Sequence, residues 1–421
     1  MTENKKQASI DTAEKKEKTI LVAVALGEAS DTEDSLDELC ELADTAGAEV
    51  IGRVMQQREA FHPGTYIGKG KIEELKELID IWQADSVICD DELSPAQMKN
   101  LSDMLKVKVI DRTVLILDIF AAHAATSEGK LQVELAQLRY RSSHLIGMGQ
   151  ILSRQGGGIG TRGPGETKLE VDRRQIRNRI SVLNAKLKEV VKNRDTQRAG
   201  RESSGIPTIA IVGYTNAGKS TLLNKLTGSE VLSEDKLFAT LDTTTRKYEL
   251  EDGQTLLFTD TVGFINKLPH TLIKAFRSTL EEAGYADILL HVVDSSNPNL
   301  DTQMKVVYDT LNELDINDKP IITAFNKTDL LKNSDEVLKD KKADATVHIS
   351  AKTGAGTDEL IKLIDEKINA SMIHIEKLIS FNDAGNVQYI RQHGKLINEE
   401  YREDGIYVEA YIPAEGMYLF K

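Results

Sequence analysis

Cysteine is scarce in this sequence, and no histidine or cysteine falls in a familiar metal-binding pattern. Cys40 and Cys89 are the only two cysteines among 421 residues, and they are far apart with no CxxC spacing. This usage excludes a disulfide-rich scaffold and argues against a thiolate zinc site. The eight histidines are scattered without an HxxxH pair, so we interpret them as surface or core residues rather than metal ligands.

Long apolar runs are also missing. Spanning a bilayer takes about 18 consecutive apolar residues, whereas the longest runs here, such as 19–26 and 288–293, have the length of strands. Residues 1–18 are polar and lack the apolar core of a secretory signal, so we interpret them as a disordered tail. We therefore expect a cytoplasmic protein without membrane insertion.

Acidic residues outnumber basic ones overall, but the basic residues are concentrated in one segment. The net charge of −14 argues against a uniformly basic nucleic-acid binder. Residues 139–201 nevertheless hold 15 lysines and arginines against 5 acidic residues. A basic segment inside an acidic protein indicates local contact with a polyanion.

Hydrophobic periodicity predicts a multidomain α/β chain. Residues 19–123 alternate between strand-like and helix-like patterns, which is typical of a small parallel α/β domain, and Ser94 is a plausible N-cap for a helix over 95–105. We predict a tail at 1–18, an N-terminal α/β domain at 19–125, a basic helical hairpin at 126–200, a linker at 201–207, a second α/β domain at 208–371 and a small α+β module at 372–421.

The predicted hairpin consists of two heptad-like helices around a glycine-rich loop at 156–168. Four leucines and one serine step by four and three along the first helix, at Leu131, Leu135, Leu138, Ser142 and Leu145. Apolar residues repeat the spacing along the second, at Ile176, Ile180, Leu183, Leu187 and Val190. This spacing favours an antiparallel helical pair. A dimerising coiled coil is one interpretation. An arm that contacts nucleic acid is the one we favour, because of the basic charge.

A phosphate-binding loop indicates that the second α/β domain binds a nucleotide. The apolar strand at 208–212 runs into GYTNAGKS, which fits GxxxxGK[ST] between a strand and a helix. In this motif backbone N–H groups surround the phosphates, Lys219 reaches the β- and γ-phosphates, and the Ser220 hydroxyl binds Mg²⁺. The predicted nucleotide contacts here are Gly213, Tyr214, Thr215, Asn216, Ala217, Gly218, Lys219, Ser220 and Thr221.

Three further motifs follow in the order of a Ras-like GTPase domain. The first is Asp260, Thr261, Val262 and Gly263; the second is Asn326, Lys327, Thr328 and Asp329; the third is Ser350, Ala351 and Lys352. An aspartate ending a strand, as Asp260 does, reaches Mg²⁺, and Asp329 can accept hydrogen bonds from guanine N1–H and N2–H₂. Adenine lacks that donor pair, so the site selects guanine.

The first switch is expected between these motifs. The predicted nucleotide contacts are Phe238, Ala239, Thr240, Leu241 and Asp242. We choose Thr240 as the threonine that binds Mg²⁺ when the γ-phosphate is present, with Thr244 as the alternative. A third interpretation is that these threonines only suit the strand that follows.

The chain resembles the HflX family of ribosome-associated GTPases. The resemblance covers nearly its whole length and rests on GYTNAGKS, FATLDTTTR, DTVGF, NKTD and SAKTG, together with a basic helical domain carrying the loop GGGIGTRGPGETK. It implies Mg²⁺-dependent GTP hydrolysis stimulated by the large ribosomal subunit, and splitting or rescue of stalled or idle ribosomes. It also implies that the glycine-rich loop reaches ribosomal RNA, with Arg154, Arg162 and Lys168 as candidate contacts.

Phe264 occupies the position where small GTPases commonly carry the glutamine that orients the attacking water. An aromatic ring cannot do this, so we expect slow intrinsic turnover, with Phe264 packing the second switch. In related GTPases an asparagine at the position of Asn216 helps to hold K⁺, so K⁺ is a candidate cofactor. Lys219, Asn216 and Thr240 are the candidate catalytic residues.

Two alternatives remain open. The chain could be a GTP-dependent switch acting on tRNA modification, ribosome assembly or membrane traffic, or an RNA-binding scaffold with a degenerate nucleotide pocket. The intact Lys219, Ser220, Asp260 and Asp329 speak against the scaffold. The resemblance also links the N-terminal region to ATP binding, for which 63–71 is a weak candidate without a Walker pattern, and we expect a monomer.

Overall fold

The computed structural model describes residues 16–155, 164–202, 206–228, 237–238, 241, 243–251, 253–269, 272, 281–331 and 338–420. These residues form two compact units, one within 1–119 and 143–162 and the other within 120–142 and 163–421. The predicted tail at 1–15 and most of the predicted first switch lie outside the described residues.

A four-stranded parallel sheet forms the N-terminal domain, as predicted. Its order is β2-β1-β3-β4, with strands β1 (Lys18–Ala25), β2 (Glu49–Gln57), β3 (Ser86–Cys89) and β4 (Lys108–Asp111). The connecting helices are α1 (Ala29–Thr45), α2 (Lys69–Trp82) and α3 (Pro95–Leu105). Ser94 caps α3 through a capping box with Gln97, which confirms the predicted N-cap.

One helix of this region escaped the sequence analysis. Helix α4 (Arg112–His123) follows β4 directly, and the Asp111 carboxylate accepts a hydrogen bond of 3.0 Å from the Val114 N–H at its start. Its middle is apolar and β-branched and is buried on most sides, for example at Ile116 and Ile119. Burial on most sides removes the one-faced periodicity on which the prediction depended.

Two long helices follow, α5 (Ser127–Gln155) and α6 (Pro164–Glu202). A bidentate ion pair joins them, in which Arg179 Nε and Nη2 donate to Glu134 at 2.6 and 2.8 Å. Arg139 Nη2 also donates to Asn184 Oδ1 at 3.3 Å. The predicted apolar stripe of α6 is confirmed as its inward side, because its five members are buried or half-buried: Ile176, Ile180, Leu183, Leu187 and Val190.

The bounds predicted around α6 are wrong at both ends. Residues 164–168, predicted as loop, form its first turn, and Pro164 fits there because the first helical position needs no N–H donor. The predicted linker begins too early, since α6 continues to Glu202. None of the helices within the described ranges is long and apolar enough to cross a membrane.

A six-stranded sheet with the order β10-β9-β8-β5-β7-β6 organises the second α/β domain. Its strands are β5 (Thr208–Gly213), β6 (Thr244–Glu249), β7 (Thr255–Asp260), β8 (Ile288–Asp294), β9 (Ile321–Asn326) and β10 (Ala345–His348), and only β6 pairs antiparallel. Helices α7 (Lys219–Thr227), α8 (Leu300–Glu313) and α9 (Thr357–Ser371) connect them. All predicted nucleotide motifs except the first switch follow the carboxyl ends of the parallel strands, where ligands bind in such sheets.

The C-terminal module is a three-stranded antiparallel sheet with one helix. Strands β11 (Met372–Ile379), β12 (Lys395–Arg402) and β13 (Gly405–Pro413) pair in the order β11-β13-β12, and α10 (Ala384–His393) covers one face. Ile390 of α10 packs there with Val408 and Ile412 of β13. The opposite face of the sheet carries polar side chains.

Candidate functional site

The loop after β5 has a backbone that two glycines make possible. Gly213 has φ +152° and Gly218 has φ +93°. A Cβ on Gly213 would lie 2.3 Å from the Val292 carbonyl oxygen, and one on Gly218 would lie 2.3 Å from Asn326 Nδ2. The loop can therefore close tightly against β8 and β9 only with glycine at both positions.

Lys219, the first residue of α7, is a buried cation inside this loop. Its Nζ donates to the carbonyl oxygens of Tyr214 at 2.7 Å and Gly213 at 3.2 Å. Burial lowers the pKa of Lys219 to about 8, although Asp260 pulls it upward. An ammonium group buried among backbone dipoles at a helix N-terminus suits an anionic ligand such as a polyphosphate, which would compensate the lost hydration.

Two oxygen-bearing side chains meet beside this lysine. Ser220 Oγ donates to Asp260 Oδ2 at 2.6 Å, which joins the start of α7 to the end of β7. Hydroxyl and carboxylate oxygens are the ligands that Mg²⁺ prefers, so this pair fits the predicted metal ligands. Thr215 Oγ1 is buried and has no hydrogen-bond partner among the described residues, which leaves it available to a bound group.

Asn326 connects the phosphate loop to the segment that contains Ala351. Its Nδ2 donates to the Ala217 carbonyl oxygen at 2.8 Å, and its Oδ1 accepts from the Ala351 N–H at 2.8 Å. Ser350 Oγ donates to Asp329 Oδ1 at 2.6 Å. These hydrogen bonds connect the phosphate loop, the Asp329 segment and the Ser350 segment to one another. Asp329 itself is exposed.

Phe264 is held against the phosphate loop by its backbone. Its N–H donates to the Gly213 carbonyl oxygen at 3.1 Å, and its carbonyl oxygen accepts from the Thr215 N–H at 2.8 Å. The side chain is only 2% exposed. The Phe264 ring is therefore packed inside the fold, and its expected role in packing the second switch stays a prediction.

The other predicted nucleotide contacts differ in their burial and in their hydrogen bonds. Thr261 Oγ1 is used inside the fold, donating to the Ile211 carbonyl oxygen at 2.7 Å, and Val262 is buried. Thr328 Oγ1 donates to the Ile349 carbonyl oxygen at 3.0 Å. Lys352 is exposed and Thr221 is half-buried.

The predicted first switch is only partly described. Ala239, Thr240 and Asp242 lie outside the described residues, and Thr244 begins β6. Phe238 has a left-handed backbone, with φ +56°, and its ring packs edge-on against Phe120 of α4 at 4.7 Å between centroids. Leu241 is buried as well.

Two of the three candidate RNA contacts lie in helices. Arg154 lies in α5 and Lys168 in α6, while Arg162 lies outside the described residues. The described part of α6 adds exposed basic side chains away from its apolar stripe: Arg174, Arg177, Arg179, Lys186, Lys188 and Lys192. Arg179 is the one that also pairs with Glu134.

Sequence analysis missed two contacts that support the site. Asp294, which ends β8, forms an ion pair of 2.8 Å with Lys327, and Tyr214 Oη accepts from the Asn266 N–H at 2.6 Å. The acidic residue at the carboxyl end of a strand was a usable signal for Asp294. No local pattern indicates the Tyr214 contact, because its partner lies 52 residues away.

Comparison with known proteins assigns the whole chain. Models described as "GTP-binding GTPase N-terminal", "GTP-binding GTPase Middle Region" and "50S ribosome-binding GTPase" match residues 33–121, 123–201 and 208–327. A protein of Lacrimispora saccharolytica described as "GTPase HflX" is 58% identical over 406 residues, which cover 96% of each chain. One of Escherichia coli with the same description is 43% identical over 85% of this chain and 84% of its own. The crystal structure of an SsGBP–GDP complex aligns over 83% of this chain and 97% of its own, with 26% identity and a TM-score of 0.45.

Proposed function

Because this chain belongs to the HflX family of GTPases and hydrolyses GTP, we propose that it works on the ribosome. In this proposal the GTP-bound protein docks on the large ribosomal subunit, contacts ribosomal RNA, and splits or rescues stalled or idle ribosomes. The observation that carries the proposal is the row of exposed basic side chains on α6, directly ahead of a GTPase domain whose family model is described as ribosome-binding.

The nucleotide roles follow from the frame around the phosphate loop. Lys219 neutralises charge on the phosphates, and the loop N–H groups from Gly213 to Ser220 orient them. Ser220 and Asp260 would hold Mg²⁺, the usual cofactor of GTPases, with Thr240 completing the set in the GTP-bound form. Mg²⁺ supplies charge neutralisation when it is bound. Asp329 selects guanine.

Slow intrinsic turnover is part of the proposal. Phe264 offers no group to orient water, and its ring is buried. Positioning and electrostatic stabilisation make up most of what a phosphoryl-transfer site contributes, so a site lacking a positioned water is slow. Docking on the subunit would order the switch segments and restore the missing positioning.

The same proposal includes K⁺ as a second cofactor. Asn216 lies in the phosphate loop with a left-handed backbone, φ +59°, and is half-buried. If Asn216 helps to hold K⁺ near the phosphates, subunit-stimulated turnover will be faster in KCl than in NaCl of equal ionic strength. Asn216→Ala will abolish that difference, whereas a turnover rate indifferent to the cation rules K⁺ out.

Co-sedimentation tests the proposed target. The full chain is centrifuged through a sucrose gradient with isolated subunits and with whole ribosomes, in GDP or in a non-hydrolysable GTP analogue. We expect the protein to travel with the large subunit in the analogue and to be released in GDP, and whole ribosomes to separate into subunits. Equal distribution in both nucleotides would favour the alternative, a GTP-dependent switch on another RNA target such as tRNA modification or ribosome assembly.

The cellular setting follows from the target. A ribosome-directed GTPase works in the cytoplasm, and we propose that this protein does so as a monomer. Light scattering of the nucleotide-bound chain measures the oligomeric state directly.

A further inference from the structure

The polar face of the C-terminal sheet brings together three side chains that commonly bind metals. His374 and Glu376 are two residues apart on β11, so they lie on the same face of the strand. Glu409 of β13 is directly opposite Glu376 in the antiparallel register. One ligand atom from each of the three side chains lies within 4.8 Å of the other two.

The spacing of two of these atoms fits a small divalent ion. His374 Nε2 and Glu409 Oε1 are 3.3 Å apart. Two ligands held about 2.1 Å from a tetrahedral Zn²⁺ are roughly 3.4 Å from one another. The His374 and Glu409 side chains retain 38% and 31% of their exposure, so they are anchored on the sheet yet open to an ion from solvent.

Charge on this face favours a cation. Like charges directly opposite each other on neighbouring antiparallel strands destabilise the pairing, and Glu376 and Glu409 are placed in this way. Nearby aromatic residues hold the set in position. Tyr407 Oη donates to Glu376 Oε2 at 3.4 Å, and the Tyr411 ring packs against the His374 ring at 5.0 Å between centroids.

We propose that His374, Glu376 and Glu409 bind a divalent transition-metal ion, with Zn²⁺ as the best fit. One imidazole nitrogen and two carboxylate oxygens suit Zn²⁺ better than the all-oxygen ions Mg²⁺ and Ca²⁺. Three protein ligands leave a coordination position for water. The ion would bridge β11 and β13 and compensate the facing glutamates, at a site separate from the Ser220–Asp260 pair.

Metal titration of the full chain tests this site. The protein is stripped with a chelator and then kept in GDP and excess Mg²⁺, so that the phosphate loop is occupied. Zn²⁺ binding is measured by titration calorimetry, and Co²⁺ substitution by visible absorption. We expect one Zn²⁺ per chain, and a Co²⁺ spectrum of a low-coordinate site.

Matched variants separate this site from nonspecific binding. His374→Ala and Glu376→Gln should each weaken Zn²⁺ binding at least tenfold, because even partners of metal ligands contribute 10- to 100-fold. Glu400→Gln, at an exposed carboxylate of β12 that pairs with Arg402, should leave the affinity unchanged. Circular dichroism confirms that each variant is folded. Absence of Zn²⁺ binding by the unmodified chain, or equal affinity in all variants, would overturn the proposal and leave His374–Glu409 as an ordinary ion pair.

Discussion

The buried ammonium group of Lys219 lowers the stability of the free protein but favours binding of a phosphate group. Its ammonium group is buried, and burial lowers its pKa to about 8. The free protein therefore carries a desolvation cost that a bound phosphate group would relieve. The cost is tolerated because two backbone carbonyls of the loop accept its hydrogen bonds.

The proposed selection of guanine depends on a single carboxylate. Asp329→Asn should shift the preference from GTP toward xanthosine triphosphate, because the amide presents a donor where guanine N2–H₂ needs an acceptor and xanthine O2 accepts one. Competition binding of the two nucleotides measures the shift. Asp301→Asn, at an exposed position of α8, is the control and should keep the GTP preference. An unchanged preference in Asp329→Asn would contradict the assignment of this motif.

Acid stability should depend on His291, a buried residue of β8. Burial lowers the pKa of His291 to about 4, against an upward pull from Asp340. Asp340 is held 4.0 Å away by hydrogen bonds from Tyr308 and Thr323. Since the unfolded chain takes up a proton near pH 6.5 and the folded one does not, stability should fall as the pH drops from 6.5 toward 4. At about 1.4 kcal/mol per pH unit the loss approaches roughly 3 kcal/mol.

Thermal unfolding of the full chain at pH 7.5 and pH 4.5 measures this effect. His291→Leu, which cannot take up a proton, should lose less stability on acidification than the unmodified chain. His348→Leu, at the half-buried end of β10, is the matched control and should retain the original loss. The same acid dependence in both variants would show that His291 is not responsible.

At the residue scale, short motifs predict which side chains would contact a nucleotide, but they do not predict how those side chains are connected to one another. The motif residues were predictable because short motifs encode local backbone geometry. The links from Asn326 to Ala217 and Ala351 were not, because they join segments 109 and 25 residues away. The proposed metal set of β11 and β13 has no local sequence pattern for the same reason, because His374 and Glu409 lie 35 residues apart.

At the scale of elements, α5 and α6 carry the proposed ribosome contact. Replacing Arg154, Arg162 and Lys168 with glutamine should weaken binding to the large subunit and reduce its salt dependence. Each phosphate that is no longer neutralised lowers the counterion release on binding, and with it the salt slope by nearly one unit. GDP affinity should not change, since the phosphate loop is untouched. Co-sedimentation at several salt concentrations provides the measurement.

Two companion variants sharpen the hairpin test. Replacing the exposed Arg174, Arg177 and Lys188 tests whether the side of α6 contributes in addition to the loop region. Replacing the exposed Lys305, Lys341 and Lys362 of the GTPase domain removes the same charge elsewhere and should leave the slope unchanged. If all three variants bind with the original salt slope, these helices do not supply the contact.

The elements differ in how far the sequence predicts them. Helix α3 has the bounds that were predicted, because the cap signal at Ser94 precedes it. Helix α4 was missed because it is buried on most sides. The predicted linker at 201–207 overlaps the last two residues of α6, because Gly200 and the charged residues near it resemble a linker. Helix-forming arginines and glutamates there outweigh one glycine.

At the scale of the whole molecule, the buried Phe264 leads us to expect a GTPase whose hydrolysis rate depends on its proposed partner, the large ribosomal subunit. The GTPase domain can bind the nucleotide through Lys219, Ser220 and Asp329, but Phe264 supplies no side chain to orient water. Hydrolysis should therefore be timed by docking, so that GTP is used when a large subunit is engaged. The predicted order of domains rests on patterning along the whole chain, whereas this expected dependence rests on one side chain.

Single-turnover hydrolysis of GTP, with and without purified large subunits, tests the central claim most directly. The free chain should hydrolyse GTP slowly, and saturating large subunits should raise the rate by orders of magnitude, because they restore the positioning that Phe264 does not provide. Lys219→Ala should show no turnover in either condition, since it removes charge stabilisation at the phosphates. Fast hydrolysis by the free chain, unaffected by large subunits, would contradict the account.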